Sequence, residues 1–185
     1  MKYYPAALLR KVKHHLKKGG VIAYPTESCY GFGCDPLNYK AIAKIIKIKG
    51  RSKTKGLIVI AGKIPQLDTL IQPLSTSELA EIKAFWPGFY SLILPTNGKT
   101  PSNLTGKHHK IACRVTKHPL VNQLCNYLDS ALVSTSANKS GQQSIKTAHE
   151  CRRRFSKQVM VLPGLTQFAK KPSTIIDWQT RKILR

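Results

Sequence analysis

The chain has 185 residues, 42% hydrophobic and 8% aromatic, which supports one globular domain over residues 1–185 and excludes extensive disorder. Its 31 lysines and arginines against 8 aspartates and glutamates give a net charge of +23. That excess indicates a polyanionic partner such as nucleic acid, unless basicity is common to the source proteome, and so few acids disfavour a catalytic carboxylate pair or an acidic metal cage.

Helices and strands alternate in the first half of the predicted structure. Leu8, Leu9, Val12 and Leu16 recur at helical spacing before Gly19-Gly20, and Asn38 stands where an N-cap is expected. Short apolar runs between the helices are typical of buried strands. The predicted elements are a helix over 6–18, a strand over 21–24 running into the loop-like stretch 25–33, a helix from 38 to about 48, and a strand over 57–61.

The second half continues the same alternation. Ser75-x-x-Glu78 has the form of a capping box, and Thr147 is a candidate cap further on. The predicted elements are a helix from 75 to 88, a strand over 90–95, a polar loop over 96–109, a strand over 111–115, a helix over 119–128, a strand over 131–135, a helix after 147, and strands over 159–162, 174–178 and 182–184. This order predicts an α/β fold with a sheet covered by helices.

The cysteines and histidines favour a cytoplasmic protein without structural zinc. The five cysteines are widely spread, none forms a Cys-x-x-Cys pair, and the histidines lack the spacing of zinc ligands. No apolar run has the length of a signal peptide or of a membrane span, so no membrane association is expected.

Common catalytic motifs are incomplete. Gly31-x-Gly33 follows a predicted strand, but Pro36 occupies the third glycine position of a dinucleotide fingerprint. Asn97-Gly98-Lys99-Thr100 resembles the end of a P-loop, yet Ile93 replaces the required earlier glycine. Ser-x-x-Lys occurs twice without the partner elements of penicillin-interacting enzymes, and Gly-x-Ser-x-Gly is missing from the sequence.

Hydroxyl, amide and cationic side chains instead recur where predicted strands meet loops. The stretches are 25–27, 49–55, Arg114, 134–138 and 173–174. Such groups bind phosphates and carboxylates, and loops at strand ends are the usual ligand sites of α/β sheets. Each stretch alone could be a solvated turn, but together they favour a site for an anionic substrate.

Five motifs resemble the YrdC/Sua5 family, in its order and spacing, from about residue 6 to residue 185, and most closely its short bacterial branch, TsaC. They are Pro25-Thr26-Glu27-Ser28-x-Tyr30-Gly31, Lys49-x-Arg51 followed by Lys55-Gly56-Leu57, Trp86-Pro87-Gly88, Arg114-Val115 with His118-Pro119-Leu120, and Ser136-Ala137-Asn138-x-Ser140-Gly141. The resemblance implies a single YrdC-like domain whose twisted mixed sheet, flanked by helices, has a basic concave ligand face.

The resemblance also implies an activity. Members of the family make threonylcarbamoyl-AMP and pyrophosphate from L-threonine, bicarbonate and ATP, for the t6A modification of tRNA. ATP is a substrate, and Mg²⁺ enters with the nucleotide rather than in a protein-bound metal site. Expected partners are tRNA or double-stranded RNA and transfer machinery of the TsaB, TsaD and TsaE type. A hydrogenase-maturation domain of this fold is disfavoured by the short chain.

The residue roles carried over from the resemblance divide into a catalytic set and a binding set. Lys49 and Arg51 would neutralise the carbamate and the phosphates, and Ser136 and Asn138 would hold ATP. The expected binding set is Thr26, Tyr30 and Arg114 for threonine, with Lys55, Ser134, Ser144, Ser173 and Arg185 as further contacts.

A non-catalytic RNA-binding module of the same fold is the alternative hypothesis. It would use a separate basic surface, expected at Lys40, Lys44, Lys47, the 107–110 loop and 152–154. Such a module would explain the charge of +23, but not the hydroxyl and amide groups at the strand ends.

Overall fold

A computed structural model describes residues 3–185 and shows one mixed eight-stranded sheet with helices on both faces. The strand order is β7-β1-β2-β6-β3-β5-β4-β8; the pairs β1–β7, β3–β5 and β4–β8 are parallel and the others antiparallel. The strands are β1 (Ile22–Pro25), β2 (Tyr30–Gly33), β3 (Ile58–Ala61), β4 (Tyr90–Pro95), β5 (Lys110–Val115), β6 (Leu132–Ser136), β7 (Met160–Val161) and β8 (Thr174–Asp177). The helices are α1 (Ala6–Lys17), α2 (Tyr39–Lys49), α3 (Thr76–Ile82), α4 (Ser102–Thr105), α5 (Pro119–Leu128) and α6 (Ala148–Phe155), with a 3-10 turn at Ile64–Leu67. The predicted α/β class is confirmed.

Two apolar clusters lie on opposite faces of this sheet. Side chains of α2, α3, α4 and α6 pack in the larger cluster against residues such as Val59 and Cys113. In the smaller cluster, α1 and α5 pack against Ile22, Tyr24 and Ile60. Alternation along each strand sends neighbouring residues to opposite faces, so Val59 and Ile60 belong to different clusters.

The face that carries the smaller cluster is only partly covered. The register pairs Gly31 with Ser136 and Ile58 with Ser134, so these residues point to the same side of the sheet as Tyr24 and Ile60. They line a cavity instead of packing under α1 and α5. Small and hydroxyl side chains therefore occupy the part of the sheet that no helix covers.

The predicted helix starts are confirmed by side-chain hydrogen bonds. The Asn38 side chain accepts from the Ala41 amide at the start of α2, and Thr147 accepts from the Glu150 amide at the start of α6. Ser75 and Glu78 form the expected capping box of α3. These caps satisfy amides that have no partner within the helix.

Strand β2 corrects the sequence interpretation, which treated residues 25–33 as loop-like. Two of its four residues are Gly31 and Gly33, and glycine weakens the strand signal. Gly33 is required by packing, since a Cβ there would lie 2.8 Å from the Val133 carbonyl oxygen and 2.5 Å from the Tyr24 ring.

Four other predicted elements differ in length or type from the observed ones. Helix α3 ends at Ile82 rather than near residue 88, and the strand predicted over 159–162 is limited to Met160–Val161. The loop predicted over 96–109 contains the short helix α4, which Leu104 anchors in the core. The predicted strand over 182–184 forms one bridge, between Ile183 and Ile176, because the chain turns back immediately before it.

All five cysteines are free; Cys29 is half-buried and the other four are buried. Within residues 3–185, no helix is long and apolar enough to cross a bilayer. Residues 1 and 2, which belong to the predicted domain, lie outside the described part of the chain.

Replacing the N-cap of α2 should destabilise the protein measurably. We expect Asn38→Ala to lower the free energy of unfolding in urea by about 1 kcal/mol, because the Ala41 amide loses its acceptor. Asn38→Ser retains a capping oxygen and is the matched control. Equal losses in the two variants would show that the cap does not stabilise α2.

Candidate active site

The cavity on the uncovered sheet face has a volume of about 370 Å³. Its floor is formed by β2, β3, β6 and β5, and its walls by the loop after β1, the loop after α2 and the 163–173 segment. The predicted residues that line it are Thr26, Arg51, Arg114, Ser134, Ser136, Ser144, Ser173 and Arg185. The structure therefore brings eight of the twelve predicted site residues to one cavity.

A second groove of about 370 Å³ adjoins this cavity and shares Arg51 and Ser136 with it. Lys49, Lys55 and Asn138 line this groove, together with the glycines of the flanking turns. We refer to the two neighbouring hollows together as the cleft; Arg51 and Ser136 line both of them.

The end of α2 gives Lys49 and Arg51 different hydrogen-bond partners. Gly50 caps the helix in the left-handed conformation, with φ +58°, which glycine adopts without strain. Arg51 then leaves the helix axis, and its Nη2 donates to the Gly56 carbonyl at 2.8 Å. Burial lowers the pKa of the Arg51 guanidinium, which stays charged because an arginine starts so high.

Lys49 is 3% exposed and is surrounded by acceptors of the turn that follows β6. Its Nζ donates to the carbonyl oxygens of Ser136 and Asn138 and to Asn138 Oδ1, with Ser136 Oγ further away at 3.5 Å. Burial, with a contribution from the Arg51 charge, lowers the pKa of Lys49 to about 8.

The turn after β6 is tightly bonded within itself. Ser136 Oγ donates to Asn138 Oδ1 at 2.6 Å, and the Asn138 amide nitrogen donates to the Gln142 carbonyl. The Asn138 amide group is thereby oriented from both ends. Ser136 Oγ keeps its acceptor lone pairs beside both hollows.

Arg114, which also lines the cavity, is held by a buried ion pair. Its Nη2 lies 2.9 Å from Glu27 Oε2, and the Thr116 hydroxyl donates to Glu27 Oε1 at 2.6 Å. The Arg114 guanidinium carbon lies 5.3 Å from the centre of the Phe89 ring. Arg114 Nε is buried and has no hydrogen-bond partner within residues 3–185, and the side chain as a whole lines the cavity.

The 163–173 segment closes one side of the cavity through contacts with the start of the site loop. The amides of Gln167 and Ala169 donate to the carbonyls of Thr26 and Glu27, at 3.4 and 2.9 Å. At its end, Ser173 bonds Ser91 through their hydroxyls, and the Arg185 guanidinium donates to the Ser173 carbonyl.

Tyr30 lies outside both hollows, although the resemblance placed it in the threonine pocket. Its side chain is fully buried, and its hydroxyl donates to the carbonyls of Leu162 and Gly164. It anchors the start of the 163–173 segment, because alternation along β2 turns it to the face opposite Gly31.

Sequence reasoning missed several residues that line the cavity. These are Ser28, Cys29, Phe89, Ser91, Lys146 and the pair Lys170-Lys171. Lys170-Lys171 is separated from Ser173 only by Pro172, so two adjacent cations close to an expected contact were the available signal. Phe89 and Ser91 had no such signal, because their position depends on how β4 pairs with β8.

The cleft is chemically suited to an anion with several charged groups. Arg51, Arg114, Lys146, Lys170, Lys171 and Arg185 all contribute to the cavity wall, and Glu27 pairs only with Arg114 in the ion pairs of residues 3–185. Hydroxyls on the floor supply further hydrogen bonds. No three His, Cys, Asp or Glu side chains in the same part of the chain are grouped closely enough to hold a metal ion.

These features define an α/β protein with a basic, hydroxyl-lined cleft on the open part of a mixed sheet. The family model Sua5_yciO_yrdC, described as "Telomere recombination", matches residues 14–185. The chain belongs to this family, and the resemblance seen in the sequence is confirmed.

Known proteins resemble this chain both in sequence and in structure. A threonylcarbamoyl-AMP synthase of Chromobacterium violaceum is 50% identical over 178 residues, covering 96% of this chain and 92% of that protein. The crystal structure of E. coli YciO has a TM-score of 0.85 and 26% identity, covering 99% of this chain and 93% of YciO.

The crystal structure of P. abyssi Sua5 with L-threonine has a TM-score of 0.86 and 29% identity. It matches 96% of this chain, which spans 53% of the Sua5 chain.

Lys49 should titrate well below the ordinary range of a lysine because its side chain is buried. We expect an NMR titration of selectively labelled lysine to show one amine with a pKa of about 8. Below that pKa the Lys49 ammonium keeps all three donors, and above it one hydrogen bond is lost.

Lys49→Met should remove this low-pKa signal and identify it. Cys29→Ser should retain the signal, which excludes the thiol that lies near Lys49 as its source. Finding Lys49 among the bulk lysines would contradict the buried geometry.

Proposed function

We propose that the protein is a threonylcarbamoyl-AMP synthase, which makes threonylcarbamoyl-AMP and pyrophosphate from L-threonine, bicarbonate and ATP. The observation that carries the proposal is the cleft itself, where Arg51 and Arg114 line one cavity together with the hydroxyl side chains of strand β6. The similarity to the Chromobacterium violaceum enzyme supports the substrate assignment.

The reaction joins anionic groups in two bond-forming steps. The threonine amine condenses with bicarbonate to give a carbamate and water, and a carbamate oxygen then attacks the α-phosphorus of ATP, so that pyrophosphate leaves. This adenylyl transfer requires alignment and charge stabilisation more than a protein acid or base. A cleft with several cations and one paired carboxylate fits that requirement.

Threonine is assigned to the Arg114 end of the cavity. Arg114 and Thr26 both line this cavity. The guanidinium would take the substrate carboxylate, with its orientation set by Glu27 and Phe89. Tyr30 supports this pocket from behind through the 163–173 segment and does not touch the substrate.

The nucleotide is assigned to the junction of the cavity and the groove. Arg51 would contact the phosphates there, with Lys55 beside it in the groove and Ser136 and Asn138 in the facing turn. Ser134, Ser144, Ser173 and Arg185 would provide further contacts along the cavity. Mg²⁺ would arrive bound to the phosphate oxygens of ATP.

The proposal extends to the product and its location. Threonylcarbamoyl-AMP would be consumed in t6A modification of tRNA, by transfer proteins of the TsaB, TsaD and TsaE type. A cytoplasmic location is part of the proposal and is supported by five free cysteines, which are typical of a reducing compartment.

Pyrophosphate release tests this function directly. Purified protein should release pyrophosphate only when ATP, L-threonine and bicarbonate are all present, because the carbamate is the attacking group. Release at the same rate with serine, or without threonine, would refute the substrate assignment.

Two neighbouring cations provide a matched comparison in the same assay. Arg51→Ala should reduce turnover about 100-fold, since one preorganised charge contact is worth ~3 kcal/mol in the transition state. Lys53→Ala removes the same charge from an exposed position two residues away and should leave turnover unchanged.

A second candidate function, RNA binding, is supported by the distribution of charge. Lys40, Lys47 and the arginines of α6 are exposed on helices that present few acids. The affinity for double-stranded RNA should fall steeply with salt, because each phosphate contact releases a counterion.

The two functions can be separated by variants. Replacing the three arginines 152–154 by glutamine should weaken RNA binding and leave pyrophosphate release intact. Arg51→Ala should do the reverse. If the RNA affinity did not depend on salt, or if it were unchanged by the triple replacement, the proposal that this basic surface binds RNA would be refuted.

A further inference from the structure

The ammonium group of Lys49 has as many good acceptors in the protein as it has protons. A protonated lysine carries three N–H donors and no acceptor. The carbonyl oxygens of Ser136 and Asn138 and the Asn138 Oδ1 atom all lie within 3.0 Å of Nζ. With the side chain only 3% exposed, no proton is left over for a bound anion.

The backbone of Lys49 holds the same turn from a second side. The Ser140 amide donates to the Lys49 carbonyl at 2.7 Å. The end of α2 therefore bonds residues 136 to 140 through both its main chain and its side chain. Because that carbonyl belongs to the last turn of α2, it is free to accept from outside the helix.

The contacts of Asn138 explain why an ammonium is needed at this position. Asn138 Oδ1 accepts from both Lys49 Nζ and Ser136 Oγ, at 3.0 and 2.6 Å. An apolar side chain at position 49 would leave the Asn138 carbonyl without its donor and would remove one of the two donors to Asn138 Oδ1. The amide group and the Ser136 hydroxyl bonded to it would then be held less firmly.

Arg51 differs from Lys49 in that it has more N–H donors than protein acceptors within reach. Its guanidinium has five N–H donors, and the protein acceptors in reach are the carbonyls of Gly56 and Lys55. Arg51 is half-buried and lines both hollows. Of these two neighbouring cations, Arg51 is the one that keeps donors free for the cleft.

We propose that Lys49 is a positioning residue that acts through Ser136 and Asn138, and that it does not itself bind the phosphates or the carbamate. This inference rests on the proposed function. It divides the Lys-x-Arg pair into one internal cation, which shapes the turn after β6, and one ligand-binding cation.

Pyrophosphate binding separates the two roles without turnover. In calorimetric titrations with pyrophosphate, we expect Arg51→Ala to raise the dissociation constant about tenfold or more, as the loss of a charged contact predicts. Lys49→Met should raise it much less, about threefold at most, while reducing kcat by about 100-fold. Comparable loss of pyrophosphate affinity in both variants would overturn the proposal.

Two further variants test whether geometry or charge matters at position 49. Lys49→Arg keeps the charge, but a planar guanidinium cannot present three donors to the same acceptors in a buried site, so it should be as impaired as Lys49→Met. The double variant Lys49→Met, Asn138→Ala should be no slower than the slower single variant. Near-normal kcat in Lys49→Arg, or multiplying losses in the double variant, would refute action through Asn138.

A crystal structure of the wild-type protein with a non-hydrolysable ATP analogue tests the proposal even if the variants do not fold. Lys49 Nζ should remain on its three protein acceptors, with no phosphate oxygen within hydrogen-bond distance. A phosphate oxygen bound to Nζ would overturn it. If the wild type released no pyrophosphate from its three substrates, the proposed function would fail, whereas the pyrophosphate titrations and this structure would still decide the placement of Lys49.

Discussion

The shortage of carboxylates is the constraint on which the site depends. With 8 acids for 31 lysines and arginines, most cations around the cleft must find acceptors other than carboxylates. Lys49, Arg51 and Arg185 donate to main-chain carbonyls, and Arg114 pairs with Glu27. A carbonyl satisfies a hydrogen bond without cancelling the charge, so the cleft keeps a positive potential that attracts polyanions.

Helices cover only part of one sheet face, and this partial covering determines where the basic cleft lies. Helices α1 and α5 bury the apolar part of one face, and the register continues this face into hydroxyl-bearing and glycine positions. A floor of strands is rigid, so hydroxyls on it stay aligned without reorganisation during a reaction. The flexible cations lie in the loops and wall segments above this floor, where they can follow a ligand.

Much of the fold could be predicted from local patterns, and the errors have physical causes. Asn38, Ser75 and Thr147 cap helices as expected, because a cap depends on residues within one turn. Strand β2 was missed because Gly31 and Gly33 carry no strand propensity; the close approach of Tyr24 and Val133 requires Gly33. Phe89 and Ser91 line the cavity because of how strand β4 pairs with its neighbours, and the local sequence does not indicate that pairing.

The sequence by itself determined the α/β alternation, the basic charge and the family, because periodicity, composition and motif spacing are properties of the chain. It also predicted that Arg51, Arg114 and Ser136 belong together, and all three line one cavity. Only the tertiary structure decided which way each side chain faces. Tyr30 turns into the core and Lys49 into the turn after β6, since strand alternation and the nearest acceptors, rather than residue type, direct a buried polar group.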